Sequence, residues 1–146
     1  LFLHADTALP AGAPRLVEQA LTQRAWGRFD VRIDGRSRVL PLVAAAMNLR
    51  SRLSAIATGD QALFMRREAF DAVGGFPDQP LMEDIELSRR LRARCGAPAC
   101  LREKVVTSGR RWDQRGAART IVLMWRLRLL YRLGVPAERL AAAYRA

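Results

Sequence analysis

Lysine is nearly missing from this chain: Lys104 is the only one among 25 basic residues, the rest being arginine, and with 14 acids the formal net charge is +11. Histidine is as scarce, with His4 alone, and cysteine occurs only at Cys95 and Cys100. One imidazole and two thiols cannot supply the four ligands of a structural zinc site, and two cysteines are too few for a disulfide framework. Both thiols are therefore read as reduced, one at a helix end and one on a strand, in a cytoplasmic protein. No apolar run approaches the roughly 18 residues of a membrane-spanning helix, which excludes a segment of that kind. The opening LFLHADTALP has no basic lead-in and carries Asp6, so no secretory signal is expected. Acids are rare at the other end. From Arg110 to Arg145, nine arginines face only Asp113 and Glu138, giving +7 to that stretch and leaving +4 for the first 109 residues. Arginine excess beside abundant alanine reads as a bias of the whole chain, so a high pI alone is weak ground for a polyanionic partner. Its concentration in the C-terminal quarter says more: such a field attracts ligand phosphates, nucleic acid or an anionic membrane surface.

What is present is globular. The 146 residues are half hydrophobic and 27% charged, which suits one domain and excludes a disordered or fibrous chain. Leu1-Phe2-Leu3 reads as a buried strand that ends at His4-Ala5-Asp6-Thr7, and a chain opening on such a strand looks cut from something longer. Helical periodicity follows over Pro10 to Arg24. Trp26 to Ile33 alternates as a strand turned by Asp34-Gly35, and Val39 to Leu53 is helical. Thr58 to Met65 is a strand candidate, and Arg66 to Val73 a short helix stopped by Gly74-Gly75. Met82 to Cys95 is a helix with arginines outside, Ala99 to Thr107 a last strand, Asp113 to Leu133 a long helix, and Glu138 to Tyr144 a terminal one. Strands alternating with helices predict an α/β layered domain, with residues 1–107 forming the α/β part and 108–146 a basic helical tail.

Four places hold chemistry-bearing residues. Asp6 follows an apolar strand, where an open α/β sheet presents ligands to its crevice; with His4 two residues earlier it is able to hold a hard divalent cation, or Asp6 and Thr7 simply cap the next helix. Glu83-Asp84 opens a helix behind the loop that begins at Gly74. Acids there are favoured by the helix dipole, and a carboxylate at such a junction also suits a general base. Arg110-Arg111-Trp112 offers charge for a diphosphate and a flat ring for stacking, or is a solvated surface pair. Finally, the long helix is apolar almost all round, which fits core packing or a helix pressed between the domain and a partner or lipid headgroups.

The order of these signals resembles the family 2 glycosyltransferases, enzymes of the GT-A nucleotide-diphospho-sugar transferase fold. The similarity is to small soluble bacterial members with an LHADT strand and a PLMEDIELSRRLR helix, and it spans residues 1 to about 145, with Thr58 to Arg92 its specific part. The resemblance implies a partial GT-A mixed sheet flanked by helices. In it, His4-Ala5-Asp6 takes the place of the family's D-x-D element, His4 standing for its first Asp. Asp6 is then the ligand of a divalent cation (Mg or Mn), and Asp84 of the Glu83-Asp84 pair the catalytic base. Gly59 and Asp60 lie beside donor sugar and acceptor, and Arg110-Arg111-Trp112 is similar to the Q-x-x-R-W element of processive synthases. Ser108 stands near the place of its Gln, which favours transfer of single residues.

The implied activity is inverting transfer from a nucleotide-sugar donor to an acceptor hydroxyl. In the family, roughly the first third of the domain binds the nucleoside, and none of it precedes Leu1, so little transfer is expected of this chain alone. Self-association through a sheet edge beside Leu1 to Ala5, and peripheral contact with the inner face of the membrane, are the further partners considered. Two rival functions are a non-catalytic scaffold docked on membranes through the long helix and, ranked last, a basic nucleic-acid-binding module. Nucleic acid is not expected, because no recognisable motif accompanies the arginines.

Overall fold

The computed structural model describes residues 1–145. In chain order it contains β1 (Thr7–Ala8), α1 (Ala13–Gln23), β2 (Trp26–Asp34), α2 (Leu40–Ser54), a single 3-10 turn (Gly59–Gln61), β3 (Phe64–Met65), α3 (Arg67–Ala72), α4 (Glu83–Cys95), β4 (Ala99–Ser108), α5 (Arg110–Arg115), α6 (Ala117–Arg132) and α7 (Ala137–Arg145). The strands form one mixed sheet in the order β1-β4-β2-β3, with β2 and β4 parallel at its centre and two-residue antiparallel strands at both edges. Helices flank it, so the α/β expectation holds at that level.

Strand β2 organises the molecule because almost all of it is buried. Alternation sends Phe29, Val31 and Ile33 into a first core with Leu40, Ala44, Phe64 and Val105. Trp26 enters a second core with Leu63, Leu87 and Leu91, its indole nitrogen donating to the Gly96 carbonyl at 2.9 Å. Arg28 is fully buried, and its guanidinium is paired with Asp30 and donates to the Asn48 carbonyl. Asp30 also accepts from Arg52 at 2.6 Å, so the buried charge has partners on both β2 and α2. A third core joins Met82, Leu127 and Leu140, and it ties the C-terminal helices to the start of α4. Among the described residues no helix is long and apolar enough to cross a membrane.

Three elements differ from the sequence reading. Leu1, Phe2 and Leu3 form no strand and are 51%, 39% and 40% exposed. Their apolar character serves an aromatic cluster instead. Phe2 stacks edge-on to Phe76 at 4.8 Å and near Phe70 at 5.2 Å, while its N–H donates to the Leu63 carbonyl. The proposed sheet edge at Leu1 to Ala5 therefore does not exist, and the strand begins at Thr7, whose hydroxyl donates to that of Thr107. Over Thr58 to Met65 only Phe64–Met65 is strand. Gln61 folds back, its N–H donating to the Thr58 carbonyl and its side chain accepting from the Thr58 N–H, and this local pairing tightens the segment into a turn. The long helix expected from Asp113 to Leu133 is broken at Gly116, whose φ of 82° only glycine adopts freely. Asp113 sits before the break and accepts N–H donors from Arg36 and Ser37, pinning the turn after β2.

Candidate functional site

Asp84 lies in the first turn of α4, which the chain enters through Met82 in a left-handed conformation (φ 64°). That entry turns the carboxylate back toward the 3-10 turn. One oxygen accepts the Gly59 N–H at 2.8 Å and the other the Ile85 N–H at 2.7 Å. Burial is the main force on this group and pushes its pKa up to about 6; the Glu83 and Asp60 charges push the same way, and the two N–H donors oppose them. At neutral pH it is a carboxylate whose proton affinity is close to the ambient pH, the condition for efficient proton transfer. Each oxygen keeps lone-pair capacity beyond its one backbone donor.

Above the turn lies His4. Its Nδ1 is 3.4 Å from an Asp60 carboxylate oxygen, with both side chains about half exposed. The hydrogen bond to Asp60 holds the imidazole pKa above its usual value; the charges of Asp60, Asp84 and Asp6 add to this, and burial opposes it. His4 thus sits in the field of Asp60, Asp84 and Asp6. The ring rests over Gly59 so closely that a Cβ there would lie 2.1 Å from Nε2, so only glycine permits this contact. Asp6 is exposed, and its carbonyl accepts from Ser108 N–H at the end of β4. Glu83 is half-buried beside Asp84.

Arg110 and Arg111 open α5 after Gly109, just past the end of β4, and both are exposed. Arg111 stacks on the Tyr144 ring, 4.6 Å from its centroid, and Trp112 packs against the first core. The tryptophan therefore anchors α5 rather than presenting a free stacking face. Sequence reasoning missed Arg50. Its guanidinium is largely buried on α2, with Nη2 lacking any hydrogen-bond partner, and it lies in the fields of Asp84 and Arg28. Burial lowers its pKa, the Asp84 charge raises it, and the Arg28 charge lowers it further. No local motif marks this residue, because α2 and α4 approach each other only in the folded chain.

Among the described residues no three of His, Cys, Asp and Glu gather into a metal-holding group. Asp6 is a lone exposed carboxylate, and His4 Nδ1 is engaged with Asp60. Such a donor set fits a magnesium-like ion that keeps waters and binds jointly to one carboxylate and ligand phosphates, not a resident ion in a protein cage. The arrangement as a whole offers a half-buried carboxylate and a partly exposed imidazole–carboxylate pair. No protein-family model, curated protein or solved structure matches this chain.

Proposed function

We propose that the chain acts as an inverting glycosyltransferase of the GT-A type. In this reading Asp84 removes the proton from an acceptor hydroxyl, and that oxygen attacks the anomeric carbon of a nucleotide sugar. The bond from that carbon to the diphosphate oxygen breaks, and the nucleoside diphosphate departs with the bonding electrons. Gly59 and Asp60 flank the acceptor and donor sugar, with Asp60 holding His4 against the turn. Asp6 and His4 face the diphosphate, Asp6 as the residue that would hold Mg or Mn. Such an ion, when bound, supplies positive charge for the leaving group. Arg110 and Arg111 add to that charge from the end of β4. The carrying observation is the Asp84 carboxylate, desolvated to a pKa of about 6 at a loop–helix junction beneath the His4–Asp60 pair.

The reading is tested by titrating nucleotide sugars against the protein with and without manganese, and by measuring nucleoside diphosphate release. Binding that needs the metal and is lost in Asp6→Asn is expected. Release is expected to be slow, and to fall a further hundredfold or so in Asp84→Asn while donor affinity stays within about twofold. Neither binding nor release with any donor overturns the function, and a fully active Asp84→Asn removes Asp84 from its role.

A further inference from the structure

Helix α6 is apolar on two sides. Leu123, Leu127 and Leu130 face inward and close the third core. Val122, Trp125, Leu129 and Leu133 point outward and are 66%, 75%, 58% and 72% exposed. At about 100° per residue these four fall within roughly 80° of one another, so they form one stripe along the helix and past its end. Exposed arginines border it, Arg119 and Arg126 on one side and Arg132 on the other, and α6 contains no acid. Beside the Arg119–Arg126 border opens a cleft of about 550 Å³, with Arg115, Arg119 and Arg126 around it and Val122 and Leu123 among its walls.

A helix on the surface of a globular protein ordinarily turns polar residues outward, and a contiguous apolar stripe of this kind marks a contact surface. The charges decide which contact. A second copy of the same face would set arginine borders against arginine borders across a two-fold axis, a repulsive arrangement. A neutral apolar partner would leave those cations unanswered. An anionic lipid surface satisfies both parts: phosphates meet the arginines, the acyl boundary takes the stripe, and a tryptophan is favoured at that depth. We propose that the outward face of α6 docks this protein flat on an anionic bilayer, with the arginine-lined cleft receiving a lipid headgroup phosphate. The inference is independent of the glycosyl-transfer reading.

The test is flotation of the 146-residue chain with phosphatidylcholine vesicles, with and without phosphatidylglycerol, read together with tryptophan fluorescence. Trp26 is buried and Trp112 half-buried, so a blue shift on binding reports Trp125. Binding is expected only with the anionic lipid and to weaken as salt rises. It is expected to fall at least tenfold in Trp125→Glu and about 30-fold in Arg119→Gln/Arg126→Gln, at the stabilisation each basic residue gains near such a surface. All three side chains are exposed, so the variants keep the fold; should Trp125→Glu melt early, Leu133→Glu replaces it. Equal binding to neutral vesicles, binding indifferent to the glutamate variants, or displacement of the chain from vesicles by an oligonucleotide that the glutamate variants bind equally well each overturns the proposal. So does a vesicle-free dimer that the glutamate variants dissociate.

Discussion

At the scale of single residues, Asp84 carries two consequences of one desolvation. As a base it gains proton affinity, and as a partly desolvated charge it burdens the fold at neutral pH. An acid raised from 3.8 to about 6 on folding holds more protons folded than unfolded between those values. Stability therefore falls as pH rises through that window and is highest below it. The span corresponds to about 3 kcal/mol. In Asp84→Asn the offset from the parent reflects an amide group set against a backbone N–H, but the slope has lost the titration. Denaturant melts from pH 4 to pH 6, below the range where the raised His4 titrates, are expected to show the parent losing most of that amount relative to the variant. Parallel curves would mean that Asp84 titrates as an ordinary exposed carboxylate and has no special proton affinity to offer.

At the scale of elements, the open side of β2 is the instructive case. Its pairing with β3 covers only Trp26 and Gly27, yet the strand runs on to Asp34. The gap is closed by a side chain. Asn48 of α2 accepts the Val31 N–H at 2.9 Å and donates to the Val31 carbonyl at 3.1 Å, pairing as a neighbouring strand would, while Gln61 donates to the same amide oxygen at 3.3 Å. Asn48→Ala leaves a buried N–H and carbonyl unpaired and is expected to cost about 3 kcal/mol, with faster amide exchange at Val31.

This pattern also explains what the sequence could reveal. The interiors of α1, α2, α4 and β4 were legible because apolar spacing and glycine stops mark them locally. The breakdown at Leu1 to Leu3, at Thr58 to Gln61 and at Gly116 comes from partners outside the local window: an aromatic cluster, a folded-back glutamine and a glycine bend. In the site, Asp84, Asp60 and His4 stand out as motif residues. Arg50 and Asn48 do not, because their roles arise only where α2 meets β2 and α4.

At the scale of the whole molecule, three cores meet the site from different sides. The first holds β2 and α2, the second holds the inner face of α4 through Leu87 and Leu91, and the third grips Leu81, Met82 and Ile85 with α6 and α7. Asp84 stands between the last two, on a turn that requires Met82 to keep a positive φ. A non-glycine residue is strained there, and the 4% exposure of its side chain shows that packing holds it in place. The basic C-terminal region is thus a brace for the candidate base as well as a charged surface. Leu127, 1% exposed at the centre of the third core, is the position where the brace is tested. Leu127→Ala opens a cavity and is expected to cost about 2–5 kcal/mol. If the cores were independent, the loss would stay within α6 and α7. If they are coupled through Met82, amide exchange at Ile85 and Gly59, the two donors to Asp84, is expected to accelerate while Val31 on the first core stays protected. Leu140→Ala, on α7 in the same core, is expected to act in the same direction, because the brace needs both helices seated against the start of α4.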